Sequence, residues 1–207
     1  MAVRYDIQAK IVDIRYDTPT KNDQFFIDTN VWYWTTYSAA SILTTSYQTK
    51  EYPGYIKKIL EKKSTIMRCE LILSEIAHVI EKSEFEIFCE KSDANITKKE
   101  FRHNYADERN FVVGEIESAW GTICESSESF GILLDEENSN YILEDLKQFC
   151  LDCYDVVYLR EMRDKLDEPR IITDDGDFAT VADITVFTAN NTVIRAADDA
   201  GMLIRRS

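Results

Sequence analysis

A chain of 207 residues is long enough for one domain with a substantial core. Its 44% hydrophobic and 30% charged residues are typical of a globular protein rather than a disordered one. The net charge of −14 disfavours avid, nonspecific binding to duplex DNA, because phosphate contacts depend on Lys and Arg. The sequence has neither an apolar run of about 18 residues nor an apolar leader, so we expect a cytoplasmic protein without a membrane span.

The five cysteines are scattered, and Cys150 and Cys153 form the one CxxC pair. A structural zinc site needs a second such pair or two suitably spaced histidines, and the sequence offers neither. We therefore expect reduced, buried thiols on a helix rather than a zinc site.

The first half of the chain begins with residues 1–23, whose weak alternation of apolar and polar residues predicts an added strand or an arm. Phe25-Phe26-Ile27 then predicts a short buried strand that ends at Asp28. The segments that follow predict a helix over 31–47, a helix over 55–63 with Pro53 near its start, a strand over 64–67 and a helix over 71–89.

In the second half, Thr97 followed by Glu100 is typical of a capping box, and we expect a helical insertion at about 92–128 with a loop at its end. The rest predicts strands over 131–134, 169–173 and 183–187, and helices over 138–149, 155–165 and 192–200. Alternating strands and helices predict one α/β domain over 1–207, a three-layer α/β/α sandwich whose mostly parallel sheet has about four or five strands.

Two of the predicted strands end in acidic residues. Asp28 follows the first, and Asp174, Asp175 and Asp177 follow the strand over 169–173. Ligands of open parallel sheets bind beyond the carboxyl ends of the strands, so neighbouring strands would bring these acids together. Like charges held together need a cation among them, and oxygen ligands favour Mg²⁺ or Mn²⁺. The pattern predicts a divalent-metal site able to act on a phosphodiester.

Four strings resemble, in chain order, the motifs of PIN-domain ribonucleases. Residues 25–32, FFIDTNVW, are similar to the opening strand of that family with its Asp-Thr-Asn turn. Residues 71–81, LILSEIAHVIE, resemble the helix that carries the family's Glu. Residues 152–160, DCYDVVYLR, resemble its third acid at a helix start, and residues 171–178, IITDDGDF, resemble its Thr-x-Asp-x-Asp-Phe signature. Each string alone is weak, but all four in order make a fairly specific signal.

The resemblance covers about 25–95 and 131–190, and it implies a PIN-like metal-dependent endoribonuclease, often the toxin of a toxin–antitoxin pair. The cofactors it implies are Mg²⁺ or Mn²⁺, and the partners are an RNA substrate, an antitoxin protein and a second copy in a homodimer. The implied catalytic and metal-binding residues are Asp28, Glu75, Asp155 and Asp175, with Asp177 as a further metal ligand and Thr29, Asn30 and Thr173 in support. Because Asp174 adds a third acid to the signature, the sequence leaves open which of Asp174, Asp175 and Asp177 binds metal. Alignment with the signature favours Asp175, with Asp177 second.

Single-stranded RNA is the expected substrate. Trp32, Tyr33 and Trp34 could stack on an unpaired base, or they could belong to the core. The insertion offers basic residues at helix-like spacing, which could follow an RNA backbone or form a solvated helix face. They are Lys98, Lys99, Arg102 and Arg109.

Other interpretations stay open. Glu75 with His78, and Glu100 with His103, form the two Glu-x-x-His motifs that di-iron carboxylate bundles use, although such a bundle leaves no place for the strands. A phosphatase-like α/β fold would need a second Asp where Asn30 stands. A housekeeping RNA-processing nuclease needs no antitoxin, and a PIN fold could also serve only as a binding module.

Overall fold

The computed structural model describes residues 3–131 and 135–206. In these two ranges, seven strands form one sheet, and each neighbouring pair is parallel. They are β1 (Lys10–Asp13), β2 (Gln24–Ile27), β3 (Thr65–Arg68), β4 (Glu128–Ser129), β5 (Arg170–Ile172), β6 (Thr185–Thr188) and β7 (Leu203–Ile204). Their order across the sheet is β4-β3-β2-β5-β6-β1-β7. The mostly parallel sheet is confirmed, but it has more strands than the four or five predicted.

Helices pack on the sheet to give the three-layer α/β/α sandwich that the sequence predicted. Within the described ranges they are α1 (Thr29–Thr36), α2 (Ala40–Leu43), α3 (Gln48–Lys62), α4 (Leu71–Ser92), α5 (Lys98–Asn104), α6 (Ala106–Ser126), α7 (Glu136–Gln148), α8 (Cys153–Lys165) and α9 (Asn191–Asp199). A short 3-10 helix, Asp177–Thr180, follows β5. No helix in these ranges is long and apolar enough to cross a membrane.

The centre of the core lies around β2. Phe25, Phe26 and Ile27 are fully buried, as expected for a strand covered on both faces. Phe25 meets the ring of Phe187 on β6 edge to face, with centroids 5.0 Å apart. Phe26 lies 5.0 Å from the ring of Tyr158, which fixes α8 above the end of β2. This packing sets the position of α8 relative to the carboxyl end of the strand.

Most predicted elements are confirmed to within a few residues. The strands predicted at 25–27, 64–67, 169–173 and 183–187 correspond to β2, β3, β5 and β6, and the helices predicted from residue 71 onward correspond to α4 to α9. The insertion is helical as expected: α5 opens with the predicted capping box, in which Thr97 and Glu100 bond reciprocally.

The N-terminal region is an integral part of the sheet rather than an appendage. β1 pairs with β6 on one side and with β7 on the other. Ile11 and Val12 are both buried, because an interior parallel strand is covered on both faces. Two consecutive buried residues explain why the alternation of apolar and polar residues is weak in this segment. The added strand that the sequence predicted is present as β1. The two-residue β7 was not predicted at all.

The single helix predicted over 31–47 is wrong. α1 ends at Thr36, Tyr37 adopts an extended backbone, and only the short α2 follows before α3. The hydroxyls of Thr35 and Thr36 donate to the carbonyls of Val31 and Trp32, at 2.7 and 2.8 Å. Such bonds weaken a helix near its end, and the aromatic pattern alone did not reveal this break.

The helix predicted from residue 55 begins earlier, at Gln48, and Pro53 lies inside it. Tyr47, Gln48 and Tyr52 all donate hydrogen bonds to Asp174. These tertiary bonds anchor the first turns of α3 and outweigh the tendency of Pro53 to break the helix.

The strand predicted over 131–134 falls largely outside the described residues, since 132–134 are not among them, and Gly131 lies in no strand. The segment 126–129, predicted as a loop, contains β4 at the edge of the sheet. A two-residue edge strand is too short to show a periodic pattern.

The thiols are free, but they are not all buried as expected. Cys69 is buried, whereas Cys150, just before α8, and Cys153, its first residue, are exposed. No disulfide links any cysteine within the described parts of the chain.

Candidate active site

The candidate site lies where the order of the sheet reverses. The chain runs outward from β2 through β3 to β4 and then returns to the other side of β2 as β5. Asp28 directly follows β2, and Asp174 to Asp177 follow β5. Ligands of open α/β sheets bind at such reversals, beyond the carboxyl ends of the strands. β2 and β5 are paired neighbours, so the condition under which their two acidic ends meet is fulfilled.

Asp28 is held by its neighbours at the start of α1, where it is the N-cap residue. Its carboxylate accepts a hydrogen bond from the hydroxyl of Thr173 at 2.6 Å and one from the backbone N–H of Asn30 at 3.4 Å. The side chain is nearly inaccessible, with 6% of its surface exposed. The hydroxyl of Thr173 and the backbone N–H of Asn30 thus both support Asp28.

Glu75 projects from the first turns of α4 towards the same strand end. It accepts a hydrogen bond from Thr29 at 2.7 Å and another from the hydroxyl of Tyr158 on α8. Burial raises the pKa of Glu75, and these two hydrogen bonds only partly offset that effect. Thr29 therefore supports Glu75 rather than Asp28. Tyr158 was not predicted as part of the site, because an aromatic residue on a buried helix face ordinarily belongs to the core.

Asp155 lies in the first turn of α8, as predicted from its position at a helix start. Its backbone N–H donates to the N-cap residue Asp152 at 3.0 Å. Burial raises the pKa of Asp155 to about 9, and the charges of Asp28, Asp152 and Asp175 add to the effect. Asp152, an exposed acid, was not predicted as part of the site.

The loop after β5 separates its acids into two environments. Asp174 faces α3 and accepts hydrogen bonds from Tyr47 at 2.7 Å, Gln48 at 2.8 Å and Tyr52 at 2.6 Å. The backbone N–H of Asp175 donates a hydrogen bond to the hydroxyl of Thr173. The carboxylate of Asp175 accepts one from the backbone N–H of Asp177, at 2.9 Å. The charge of Asp175 raises the pKa values of both Asp28 and Asp155. Asp175 rather than Asp174 is therefore the acid of this loop that belongs with them.

Burial and mutual repulsion disfavour the ionised forms of Asp28 and Asp155. Burial raises the pKa of Asp28 to about 7, and the charges of Asp175 and Glu75 contribute. Burial and the charge of Asp175 also raise the pKa of Asp177. Within the described ranges, no Lys or Arg forms an ion pair with any of these acids. We call the set the acid cluster: Asp28, Glu75, Asp155, Asp175 and Asp177.

The acid cluster fits a hard divalent cation by its chemistry, because its ligand atoms are all carboxylate oxygens with uncompensated charge. It does not form a closed set of ligands as it stands. No group of three or more His, Cys, Asp or Glu side chains in the described part of the chain is arranged to hold a metal ion. The carboxylate of Glu75 already accepts hydrogen bonds from Thr29 and Tyr158.

A cavity of about 580 Å³ opens beside the acid cluster, between α4, α6 and the start of α8. Glu75 and Asp152 form part of its wall, together with His78, Arg109 and Tyr154. One side of this cavity thus comes from the helical insertion, which the family resemblance does not cover.

Of the two roles left open for the aromatic residues after Asp28, the core role holds for two of them. Trp32 and Tyr33 are 1% and 3% exposed and belong to the core. Trp34 is half-buried and packs on Tyr52, with ring centroids 5.2 Å apart. The apolar face of α1 has to be buried against α3 and α4, and this need outweighs any use of the rings for binding.

The basic residues of the insertion do not form one free row. Arg102 forms an ion pair with Glu81, and Arg109 lies 3.8 Å from the other oxygen of the same carboxylate. Lys98 and Lys99 form no ion pair within residues 3–131 and 135–206, and their contact with a nucleic acid stays a prediction. The partner of both arginines, Glu81, was not predicted; it lies less than two turns after Glu75 on α4.

The di-iron alternative is wrong as an architecture, because the fold is a parallel sheet with helices rather than a four-helix bundle. His78 and His103 are both exposed, on α4 and α5.

A scan against protein-family models, a search of characterised proteins and a search of solved structures each found nothing that matches this chain.

Proposed function

We propose that the acid cluster is the active site of a PIN-like endoribonuclease that depends on Mg²⁺ or Mn²⁺ and hydrolyses single-stranded RNA. The observation that carries the proposal is the convergence of buried and half-buried carboxyl groups from α4, α8 and the ends of β2 and β5 at the reversal of the sheet, where no Lys or Arg of the described residues pairs with them. Retaining such charge costs stability unless a ligand compensates it, and perturbed carboxylates of this kind cluster at functional sites.

In the proposed reaction, the oxygen of a water molecule attacks the phosphorus of an RNA phosphodiester, and the bond from phosphorus to one sugar oxygen breaks. Divalent ions bound at the acid cluster would lower the pKa of that water and stabilise the charge that develops on the phosphate. Asp28, Asp155 and Asp175 are the residues proposed to hold them. Thr173 keeps the carboxylate of Asp28 oriented, and Tyr158 keeps that of Glu75.

The proposed choice of single-stranded RNA is supported by the cavity beside Glu75. His78 and Tyr154 are exposed at its wall, and bases that are not paired can stack on such rings. The net charge of −14 argues against tight binding to a long duplex. The family resemblance of the four motifs is what favours RNA over single-stranded DNA.

The direct test is cleavage of an end-labelled single-stranded RNA. We expect cleavage in Mn²⁺ or Mg²⁺, none in EDTA, and little cleavage of the same sequence annealed into a duplex. The Asp28→Asn protein should be slower by at least about 100-fold, the lower range for losing a group that stabilises transition-state charge. The exposed loop variant Asp167→Asn is the matched control and should cleave like the wild type. Cleavage that survives EDTA, or an Asp28→Asn protein with full activity, would overturn the proposal.

An antitoxin protein and a homodimer stay predictions from the resemblance. An inhibitor that places an Arg or Lys among the acids would pair the carboxylates by charge-assisted hydrogen bonds. A housekeeping RNA-processing nuclease, restrained by its choice of substrate, is the alternative within the same chemistry.

A further inference from the structure

The segment that precedes β1 is fastened beside the acid cluster. The backbone N–H groups of Gln8 and Ala9 both donate to the carbonyl oxygen of Ala179, at 2.9 and 3.1 Å. Ala179 belongs to the short 3-10 helix that begins at Asp177. Residues 3–9 therefore run alongside the loop that carries two members of the acid cluster.

The side chain of Tyr5 lies directly on that loop. A Cβ built on Gly176 would be only 2.6 Å from the hydroxyl oxygen of Tyr5, so a side chain at position 176 would collide with the ring. The backbone of Gly176 has a φ of −77°, which any residue can adopt. A side chain at position 176 would have to displace the ring of Tyr5, whereas the backbone conformation alone would accept one.

The hydroxyl of Tyr5 lies against Gly176, the residue between Asp175 and Asp177. It makes no hydrogen bond with the other described residues, although its ring is half-buried. Burial raises the pKa of Tyr5, and the charges of Asp177, Asp175 and Asp174 raise it further. A phenol in these surroundings is neutral and has a proton to donate.

We propose that Tyr5 is a substrate-binding residue, whose hydroxyl donates a hydrogen bond to a phosphate oxygen of an RNA strand at the acid cluster. This inference rests on the function proposed above. A phosphate that approaches through carboxylates needs donors that carry no negative charge. Because no Lys or Arg in the described ranges pairs with the acid cluster, the hydroxyl of Tyr5 is a donor suited to this task.

The test removes only the hydroxyl. Tyr5→Phe keeps the ring on Gly176, and Tyr141→Phe is a matched control, since the hydroxyl of Tyr141 binds Glu137 on its own helix. Initial rates would be measured against the concentration of a single-stranded RNA in Mn²⁺, with the melting temperature of each protein recorded. We expect KM of Tyr5→Phe to rise roughly 10- to 100-fold, the range for a lost hydrogen bond to a charged group, with a much smaller change in kcat.

The outcomes separate the two proposals. A raised KM in Tyr5→Phe, with an unchanged melting temperature and a normal Tyr141→Phe protein, supports the binding role. Wild-type kinetics in Tyr5→Phe would overturn that role and leave the nuclease intact, and so would a lower melting temperature with unchanged KM. A wild-type protein that cleaves no RNA in Mn²⁺ or Mg²⁺ would overturn the nuclease and this inference with it.

Discussion

Replacing Asp28 by Asn should raise the free energy of unfolding of the metal-free protein at neutral pH, by roughly 1 to 4 kcal/mol. The Asp28 carboxyl is buried, and burial together with Asp175 and Glu75 raises its pKa to about 7. Ionising it in the folded state is therefore unfavourable. Asn has nearly the same size, retains an oxygen acceptor and removes the charge.

The stability of the metal-free protein should fall as the pH rises through the pKa of Asp28. The pKa of Asp28 is higher in the folded protein than its usual value near 4, so the folded state binds the proton more tightly. The protonated form contributes stability that is present below about pH 4 and is lost as the pH rises through 7. Asp155, with its pKa raised to about 9, should extend the decline to more alkaline pH.

Denaturant unfolding in EDTA from pH 5 to pH 9 would measure both effects. We expect the wild type to lose stability as the pH rises and Asp28→Asn to lose less. Asp167→Asn, which changes an exposed carboxylate, should follow the wild type at every pH. Coincident curves for wild type and Asp28→Asn would mean that Asp28 carries no uncompensated charge.

Replacing Arg206 by Met should lower the free energy of unfolding by about 3 to 5 kcal/mol, the usual loss when one partner of a buried ion pair is removed. The guanidinium of Arg206 donates to both oxygens of Asp17, at 2.8 and 2.6 Å, and lies 2.9 Å from Asp23. Asp17 and Asp23 are 5% and 4% exposed. The variant would leave two buried carboxylates with less compensation, although Arg170 still lies 3.1 Å from Asp23.

Thermal unfolding would check this, with a melting temperature expected to fall by roughly 6 to 20 °C. Arg205→Met is the matched control, because the neighbouring Arg205 is exposed and forms no ion pair within the described residues. Arg206→Lys should fall between the two, since an ammonium cannot bind Asp17 through two parallel bonds. Equal melting temperatures for the Arg206→Met and Arg205→Met proteins would exclude the buried pair as a source of stability.

The parts of the site that the sequence predicted are those with local signals. The apolar run of β2 ends at Asp28, and Asp155 lies at the start of a helix, so a short window identifies each of them. These inferences required no knowledge of distant contacts. The adjacency of β2 and β5 was a condition of the predicted site rather than a prediction, and the structure supplies it.

The parts that were missed depend on distant contacts. Tyr158 reaches Glu75 across 83 positions of sequence, and Tyr52 reaches Asp174 across 122. Tyr5 meets Gly176 only because β1 joins the interior of the sheet beside β6. An aromatic residue in one window gives no indication of the carboxylate it meets in another, so these partners could not be predicted from local patterns.

Binding of divalent metal at the acid cluster through Asp28 would be measured by calorimetric titration of Mn²⁺ into the metal-free protein at neutral pH. The wild type should bind Mn²⁺ saturably and release protons as it does so, because carboxyl groups with raised pKa must ionise to become ligands. Asp28→Asn should bind at least about ten times more weakly, as expected when an anionic ligand is lost, while Asp167→Asn should bind like the wild type. A wild-type protein that takes up no Mn²⁺, or an Asp28→Asn protein that binds it as tightly as the wild type, would contradict the account.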